Sequence, residues 1–576
     1  MKNAKKKIAL AILSLLIVVS MVAVLAACSK NSSSSSSYQT SGTVVDTVEK
    51  DDMAFSDGDT DTVEYDGADA TITLSGTTGT ISDTTRGTSG STVEITSKGT
   101  YLVTGAASNV QIVVNDTTKS GNVYLVLDGV TMTNNATACI FVKSADKVVI
   151  YTVGANTITS TASSEYVDSD GNSIDGAIYA KDDVTFNGDK DSTLVISSKL
   201  HGIVCKDDLK VTGGNVTVTA TKKGIDANDS VRVGGGTLSV TAGHDGIQLG
   251  NDAGDSYFYM EDGTLTVVAG YDGIDVNGAS GYAKLVGGAI NITAPAKGSN
   301  ASKNSSTSQK GLKCEGDINI GDVILTISSA DDAIHSGATI SITDGTLTLS
   351  SSDDGIHADS TLAISGGDVT ISKSYEALEA YIIQVSDGII SVTASDDGFN
   401  AAGDTSDSDT RLNPWSSYSS SSGTLTISGG TVIVNCQGDG LDSNGALTVS
   451  GGTVYVFGPS NGGNSAIDSD TGSTITGGTV VAICCEAMDS VSFSQPVVSV
   501  SLSSLTSGST LSIDGIASCS LPKSYSSATV MISAPNMKSG TTYTITYGSK
   551  SSAATATTGS VGGNMGGGSM GGGGRR

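Results

Sequence analysis

The feature that most constrains the fold is a repeat of about 22 residues. An Ile, Leu or Phe that follows a Gly or Ala marks each unit. These marker residues are Ile203, Ile225, Ile247, Leu312, Ile334, Ile356, Leu378 and Phe399. The series is extended, with small insertions, by Ile178, Ile274, Leu441, Ile467 and Met488. A unit this short cannot bury a core by itself, so successive units must stack on one another.

A second mark, a Gly-Gly or Asp-Gly turn followed by a Thr/Val-rich run, lies between these positions. Examples are Gly213-Gly214, Gly235-Gly236, Gly366-Gly367, Gly429-Gly430, Gly451-Gly452 and Gly477-Gly478. Each unit is therefore an alternation of short strands and turns. We predict an all-β fold, a right-handed single-stranded parallel β-helix whose turns stack about 4.8 Å apart. The GGxGxDxUx nonapeptide of the competing β-roll is absent.

The first 27 residues are typical of an export signal. Four lysines precede an apolar run from Ile8 to Leu25, and the run ends in Leu25-Ala26-Ala27-Cys28, which resembles a lipobox. A retained transmembrane helix is the alternative. Residues 28–60 are Ser-rich and predict a flexible tether. We therefore expect lipidation at Cys28 and an extracellular protein, anchored by lipid alone to the outer face of the bacterial cell membrane.

The remaining boundaries follow from where the period begins and fails. We predict a β-helix over residues 61–494, with an N-terminal cap to about residue 90 and insertions at Pro295–Gln309 and Ala402–Gly423. Residues 495–550 predict a small C-terminal β unit. Residues 551–576 are Gly-rich and predict a disordered tail. We expect a monomer.

The charge of the chain limits its partners. The net charge is −28, and removing the signal's four lysines and no acid takes it to −32. Such a protein should repel nucleic acids and other polyanions unless cations intervene.

The acids are arranged in two columns when the units are aligned on the Ile/Leu position. Two residues before it stand His201, Lys223, Asp245, Asp272, Lys310, Asp332, Asp354, Glu376, Asp397, Asp439, Ser465 and Glu486; one residue after it stand Val204, Asp226, Gln248, Asp275, Lys313, His335, His357, Glu379, Asn400, Asp442, Asp468 and Asp489. Stacking would place like charges about 5 Å apart, at a cost of about 3 kcal/mol per pair. Either some acids are protonated or a cation lies among them.

Oxygen-rich clusters of this kind suit Ca²⁺, which takes 6–8 oxygen ligands. The candidate ligands form three clusters: Asp226, Asp245, Asp272 and Asp275; Asp332, Asp354, Glu376 and Glu379; and Asp397, Asp439, Asp442 and Asp468. Asp331, Asp353 and Asp396 add further oxygens. The alternative is a set of solvated turn acids, although a turn alone would accept Asn or Ser as readily. Calcium would either staple the turns or bridge to a ligand.

Histidine and cysteine give weaker signals. The four histidines show no spacing typical of zinc, but His335 and His357 share one column, one turn apart, where they form a ladder or contact carbohydrate. Cys205 and Cys314 share a position usually held by Ala or Ser, which favours small buried thiols over disulfides.

The chain from about Ala70 to Cys485 resembles a known family. The motifs that carry this resemblance are residues 71–76 (TITLSG), 99–105 (GTYLVTG), 125–130 (LVLDGV), 142–148 (VKSADKV) and 176–180 (GAIYA). They are similar to the calcium-binding, carbohydrate-binding β-helix domains of bacterial surface lipoproteins, which are related in fold to family 9 pectate lyases. The resemblance implies Ca²⁺ sites and binding of cellulose or a pectic polysaccharide.

A binding role is favoured over catalysis. Calcium held by acids can bridge to a polysaccharide carboxylate, which would let a chain of charge −32 bind pectin or polygalacturonate. Trp415 is the only Trp, so no long stacking platform for cellulose is visible; it is a carbohydrate contact or a loop anchor.

Two other functions stay open. In a pectate lyase acting by β-elimination, Asp245, Asp272 and Asp275 would hold the metal and Lys313 would be the base, with Lys310 and Lys223 as alternatives. Neighbouring acids should raise the pKa of such a lysine, which disfavours that role. The third possibility is a structural surface stalk or adhesin.

Overall fold

The computed structural model describes residues 53–250, 256–294, 308–402 and 423–563. These residues form one short helix and a parallel β-solenoid of about 14 turns, with a small separate sheet near the C-terminus. The predicted parallel β-helix is therefore confirmed.

The first part of the described chain contains α1 and β1 to β16. Their bounds are α1 (Asp57–Thr60), β1 (Ala70–Gly76), β2 (Thr78–Ile81), β3 (Gly87–Thr88), β4 (Thr92–Ile95), β5 (Gly99–Ser108), β6 (Gln111–Asn115), β7 (Val123–Asn134), β8 (Ile140–Ser144), β9 (Lys147–Val153), β10 (Ala155–Ser160), β11 (Tyr166–Val167), β12 (Ser173–Ile174), β13 (Gly176–Ala180), β14 (Asp183–Gly188), β15 (Thr193–Ser198) and β16 (His201–Cys205).

The middle turns contain β17 to β36. Their bounds are β17 (Asp208–Val211), β18 (Asn215–Ala220), β19 (Ile225–Ala227), β20 (Ser230–Ala242), β21 (Ile247–Leu249), β22 (Tyr257–Val268), β23 (Ile274–Val276), β24 (Tyr282–Leu285), β25 (Ala289–Ala294), β26 (Leu312–Cys314), β27 (Ile318–Ile320), β28 (Ile324–Ser329), β29 (Ile334–Ser336), β30 (Thr339–Ile342), β31 (Thr346–Ser350), β32 (Ile356–Ile364), β33 (Asp368–Lys373), β34 (Leu378–Val385), β35 (Ile389–Thr393) and β36 (Phe399–Ala401).

The last turns and the C-terminal unit contain β37 to β50. Their bounds are β37 (Thr424–Ile427), β38 (Thr431–Asn435), β39 (Leu441–Ser443), β40 (Ala446–Val449), β41 (Thr453–Phe457), β42 (Gly472–Ile475), β43 (Thr479–Cys484), β44 (Ser490–Leu505), β45 (Thr510–Ile513), β46 (Ala517–Ser520), β47 (Tyr525–Ser533), β48 (Thr542–Tyr547), β49 (Lys550–Thr555) and β50 (Thr557–Gly562).

Three parallel sheets run along the coil, and each turn contributes one strand to each sheet. One face is built from three-residue strands such as β19, β21, β23, β26 and β29, which pair in that order; we call it the short-strand face. A second face contains β15, β18, β25, β28 and β31, and the third contains β14, β17, β24, β27 and β30. β20 and β22 bend from the third face onto the second.

The core is a set of stacked apolar ladders inside the coil. Ile203 pairs with Ile225, Ile225 with Ile247, and the ladder continues through Phe399 to Leu441. All of these side chains are at most 1% exposed. The repeat marks read from the sequence are therefore the inward-facing residues of the short-strand face.

The Gly-Gly mark has a steric cause. Gly367 has φ +82, a left-handed conformation that L side chains rarely adopt. A Cβ at this position would also lie 2.9 Å from the carbonyl oxygen of Asp344 in the preceding turn. The turn therefore needs glycine both for its backbone angle and for the close stacking of turns.

The coil begins earlier than predicted. β1 already pairs in parallel with β5, from Ala70 opposite Tyr101 to Gly76 opposite Ala107, so stacking starts at residue 70 and not near residue 90. Two antiparallel pairs, β1 with β2 and β3 with β4, lie within this first turn. These extra strands lengthen the first turn beyond 22 residues, so the 22-residue period cannot be seen in this part of the sequence.

Part of the predicted tether is packed on the coil. We call residues 53–65 the N-terminal strap. The ring of Phe55 lies 6.3 Å from that of Tyr259, and Val63 is buried with Val126 and Tyr151. The prediction of a flexible segment to residue 60 is therefore wrong for residues 53–60, because Met53 and Phe55 pack against aromatic side chains of distant turns.

The C-terminal unit is continuous with the last turn. The first residues of β44 pair in parallel with β42, and its later residues pair antiparallel with β47, which also pairs with β43. β45, β46, β48 and β49 form a separate antiparallel sheet.

Residues 551–562 are strands and not the start of a disordered tail. They lie in β49 and β50, and β50 pairs antiparallel with β44. A low-complexity sequence suffices here because the backbone, rather than apolar side chains, makes the pairing.

Several predictions concern other parts of the chain. The signal, Cys28, most of the tether, Trp415 and nearly all of both insertions lie outside the described residues. Among the residues that are described, no helix is long and apolar enough to cross a membrane. The seven cysteines that follow Cys28 are free thiols, and Cys205 and Cys314 are completely buried.

Candidate functional site

The two predicted columns stack in register at the edge of the short-strand face. Asp226 lies opposite Gln248, Gln248 opposite Asp275, and Asp275 opposite Lys313. The same column continues from Lys313 through His335, His357, Glu379 and Asn400 to Asp442. The alignment of the repeats therefore placed these side chains correctly relative to one another.

The other column is held by a hydrogen-bond relay that the sequence did not reveal. The backbone N–H of Asp272 donates to Asp245 Oδ1 at 3.2 Å, and that of Asp354 donates to Asp332 Oδ1 at 3.1 Å. The N–H of Asp439 donates to Asp397 Oδ1 at 2.6 Å. One oxygen of each of these acids thus binds the next turn, which is a structural reason for this column, and the second oxygen remains for other partners.

The glycine between the two columns has a packing role. A Cβ at Gly246 would lie 2.6 Å from the carbonyl oxygen of Gly273 one turn later. Close stacking of the turns therefore explains the glycine of these Asp-Gly pairs, independently of any metal.

Two of the four acids of the first cluster are paired with lysines. Asp226 contacts Lys223 at 2.8 Å and Lys206 at 3.7 Å, and Asp275 contacts Lys313 at 3.5 Å. Burial, assisted by Asp275, raises the pKa of Asp272 to about 6. Burial and the neighbouring Asp272 also raise the pKa of Asp245.

Lys313 is poorly suited to act as a base. Burial lowers its pKa, but Asp275, Asp272 and Glu315 together outweigh burial, and the pKa is raised above its ordinary value. Its ammonium contacts Glu315 at 3.3 Å. A lysine held as an ammonium at neutral pH cannot accept the proton that β-elimination removes.

The middle cluster contains a lysine ammonium among its acids. Carboxylate oxygens of Asp331, Asp332 and Asp353 lie within 4.8 Å of one another. The ammonium of Lys310 donates to Asp331 at 3.2 Å and also to Asp332. Burial lowers the pKa of Lys310, but these two acids outweigh it and the pKa is raised. Lys310 therefore already supplies positive charge to two of the three acids in this all-oxygen group.

Two histidines continue the middle cluster. The rings of His335 and His357 are 4.9 Å apart and tilted by 55°. His335 Nδ1 lies 3.1 Å from Asp332 Oδ2. His357 Nδ1 lies 3.4 Å from both Asp354 Oδ2 and Glu379 Oε2, and burial is outweighed by these acids and by Asp359, which raise the pKa of His357 well above its usual range.

The third cluster has no such compensation. Burial first, and the neighbouring acids next, raise the pKa of Asp397 to about 8, of Asp439 to about 7, and of Asp442 and Asp468 to about 6. Asp489 lies close enough to Asp468 to form a side-chain hydrogen bond. In the described part of the chain, no ion pair joins these five acids to Lys, Arg or His. We call them, together with Asp396, the C-terminal acid cluster.

Charge and preformed geometry thus favour different places. The groups of three converging ligand atoms that the described residues contain all lie in the middle cluster, where Lys310 and His357 already supply positive charge. The uncompensated charge lies in the C-terminal acid cluster. For a hard cation the uncompensated charge matters more than preformed geometry, because Ca²⁺ sites are flexible and draw in 6–8 ligands.

Some members of these sites were missed by sequence reasoning. Asp489 stands in the aligned column, so its column position was a usable signal. Asp359 lies two residues beyond His357 and outside both columns, and only the fold shows that its Oδ1 lies 3.4 Å from His357 Nε2.

A polar cleft lies away from the columns. Its volume is about 490 Å³, and it is bounded by the N-terminal strap on one side and by solenoid turns on the other. Its lining includes Asp61, Thr62, Tyr151, Lys190 and Asn215.

Comparison with known proteins identifies the family. The model of a family described as "Carbohydrate-binding domain-containing protein" matches residues 89–355 and 354–558, which is most of the chain. The chain belongs to this family. A protein of the same description from Acetivibrio thermocellus is 40% identical over 130 residues, which are 22% of this chain and 45% of the relative, so less than half of that relative is shared.

A solved structure is also similar in part. It is titled "Structure of the polysaccharide lyase-like protein from C. thermocellum, Gadolinium derivative". The match is 32% identical and covers 38% of this chain and 93% of the other, with a TM-score of 0.33.

Proposed function

We propose that this protein is a cell-surface lipoprotein that binds acidic, pectin-type polysaccharide through Ca²⁺ held by the C-terminal acid cluster. Membership of a carbohydrate-binding family supports the ligand class. The observation that carries the proposal is the stack of half-buried acids Asp397, Asp439, Asp442 and Asp468. Their pKa values are raised by burial and by neighbouring acids, and they have no basic partner among the described residues.

The donors of this cluster fit a hard cation. They are carboxylate oxygens on successive turns, which suit Ca²⁺ better than a soft metal. Asn400 adds a neutral oxygen in the same column, opposite Asp442. Its buried Oδ1 has no hydrogen-bond partner among the residues described, while its amide donates to Glu376 at 2.8 Å. An orphaned buried oxygen beside a group of acids is what a cation ligand requires.

Calcium would also overcome the electrostatic repulsion between this acidic protein and an acidic polysaccharide. A chain of charge −28 repels a polyanion. A divalent ion that is only partly neutralised by the protein can accept a uronate carboxylate as a further ligand, so the metal joins two negative surfaces. The acids that are already paired with Lys223, Lys310 or Lys313 should bind such an ion less strongly, because the lysines compensate their negative charge.

Affinity electrophoresis tests the proposal. The full chain is run through gels containing polygalacturonate or a neutral cellulose-type polymer, with Ca²⁺ or with EGTA. We expect retardation on polygalacturonate with Ca²⁺ only. Asp439→Asn combined with Asp468→Asn should abolish it, whereas Asp226→Asn, an acid of the same columns already paired with two lysines, should leave it unchanged.

Other outcomes would contradict the proposal. Retardation that survives EGTA, or that Asp226→Asn removes as completely as the double variant, would place binding elsewhere. Formation of unsaturated products in the same samples would indicate a lyase. A lack of retardation on either polymer would favour a structural surface stalk.

A further inference from the structure

The middle cluster contains a nitrogen ligand that the calcium proposal does not use. His357 Nδ1 lies 3.4 Å from Asp354 Oδ2 and 3.4 Å from Glu379 Oε2. These three ligand atoms all lie within 4.8 Å of one another. Asp354 and His357 are three residues apart on one turn, and Glu379 reaches the same point because it pairs with His357 on the next turn. No sequence spacing typical of zinc would reveal this arrangement.

We propose that Asp354, His357 and Glu379 form a binding site for a zinc-class divalent transition-metal ion, separate from the C-terminal acid cluster. Zinc binds nitrogen and carboxylate oxygen at about 2.0–2.1 Å in a tetrahedron, whose edges are therefore about 3.4 Å. The two separations from His357 Nδ1, each 3.4 Å, match such an edge. The three donors thus need little movement to accept an ion of this size.

A fourth residue orients the imidazole. His357 Nε2 lies 3.4 Å from Asp359 Oδ1, so an N–H on Nε2 donates to this carboxylate. That tautomer leaves the lone pair of Nδ1 directed toward Asp354 and Glu379. A carboxylate that fixes the tautomer of a metal-binding histidine is a recurrent feature of zinc sites. Asp359 is therefore a positioning residue of the proposed site.

The surroundings favour this group over its neighbour. Asp332, His335 and His357 also converge, but the Asp332 oxygen that faces His335 accepts a hydrogen bond from the Lys310 ammonium as well. A metal there would lie beside a fixed positive charge. The side chains of His357 and Glu379 are 25% and 21% exposed, whereas Asp354 is 1% exposed. Asp354 would therefore bind the ion from the buried side. On the exposed side, the ion would keep one coordination position open to water or to another oxygen ligand.

The nitrogen ligand decides the metal class. Imidazole suits Zn²⁺, Cu²⁺, Ni²⁺ and Fe²⁺, whereas Ca²⁺ takes oxygen ligands. A metal ion bound at Nδ1 takes the place of any proton on that nitrogen, and its positive charge offsets the neighbouring acids.

Cobalt titration tests the site, because Co²⁺ takes zinc positions and has visible absorption bands when tetrahedral. The full chain, purified in detergent and stripped of metal, is titrated with Co²⁺. We expect one equivalent to produce these bands, one equivalent of Zn²⁺ to remove them, and excess Ca²⁺ to leave them. His357→Ala should abolish the bands, and Asp359→Asn should weaken binding by about 10–100-fold.

Matched variants separate this site from the proposed calcium site. Asp468→Asn should leave the cobalt spectrum unchanged. If His357→Ala fails to fold, Glu379→Gln, which keeps the size of the side chain, should still lower Co²⁺ affinity at least tenfold. The proposal would be overturned by an unchanged spectrum in His357→Ala or Glu379→Gln, by displacement with Ca²⁺, or by the absence of stoichiometric bands. None of these results depends on polysaccharide binding, so this inference and the proposed function fail separately.

Discussion

The buried carboxylate of Asp59 attaches the N-terminal strap to the coil. It accepts hydrogen bonds from Lys147 at 2.6 Å and from Thr185 at 2.7 Å, and it is 1% exposed. Burial acts to raise its pKa, but these hydrogen bonds and those from Ser56 lower it well below its usual range. A single ionised side chain thus links the strap to two turns of the third face.

Replacing Asp59 should release the strap. Asp59→Ala leaves the Lys147 ammonium half-buried without its partner, a loss of about 3 kcal/mol for a buried ion pair. We expect faster proteolysis within residues 53–65 and a lower melting temperature. Lys119→Ala, which breaks the ion pair between an exposed lysine and the half-buried Asp182, is the control and should cost about 1 kcal/mol or less. Equal protease sensitivity in the two variants would contradict this role for Asp59.

Asp207 should make stability depend on pH. Burial, followed by Asp183, Asp208 and Asp229, raises its pKa from 3.8 to about 7. The folded state therefore binds this proton more tightly than the unfolded state, and the stability it gives is present below about pH 4 and is lost as pH rises to about 7.

Asp207→Asn should remove this dependence. We expect the variant to have a higher melting temperature than the parent at pH 8 and the same melting temperature at pH 4. Asp66→Asn, at an exposed acid, should match the parent at both. A gain at pH 4 that equals the gain at pH 8 would show that charge is not the cause.

At the scale of an element, each turn of the coil depends on close contact between backbones. Gly367 combines φ +82 with close contact to Asp344 of the preceding turn, whereas Gly129, at φ +65, has no atom within 4 Å of an added Cβ. Comparing alanine substitutions at these two glycines therefore separates the free-energy cost of the backbone angle from the cost of the steric contact.

Gly367→Ala should therefore cost more than Gly129→Ala. The left-handed conformation costs about 1–2 kcal/mol at either site, and the added contact costs about 1–3 kcal/mol at Gly367 alone. Denaturant unfolding of both variants measures the difference. Equal losses would mean that the turns can separate enough to accept a methyl group.

At the scale of the whole molecule, stacked repeats respond locally because each turn contacts only its neighbours. Removal of calcium should therefore loosen the turns that hold it. We expect EGTA to increase hydrogen exchange in residues 431–484 and to leave residues 203–249 unchanged. Saturating Ca²⁺ at about 100 times its dissociation constant would contribute about 2.7 kcal/mol. A uniform response along the coil would contradict a site confined to the C-terminal acid cluster.

The C-terminal unit protects the last turn. β47 pairs with β43 and β44, and β50 pairs with β44. A chain ending at residue 494 would expose these strand edges, and exposed edges pair with other chains. We expect this truncation to self-associate in light scattering, whereas a chain ending at residue 563 should not. A monomeric truncation would show that the coil needs no such cover.

The sequence by itself determined the coil and the register of its columns. Stacking repeats the inward Ile and the outward acid at one interval of 22 residues wherever a turn carries no insertion, so the positions of Ile334 and Asp332 already imply those of Ile356 and Asp354. The same logic identified which acids would be neighbours, from Asp226 to Asp468.

Only the tertiary structure decided how each acid is compensated. The pairing of Lys310 with Asp331 and Asp332, the contact of Asp359 with His357, and the burial of Asp59 depend on side-chain directions and on segments far apart in sequence. A period records which backbone positions stack. It does not record which side chain turns toward which neighbour, and that choice separates the acids already paired within the protein from those left for a cation.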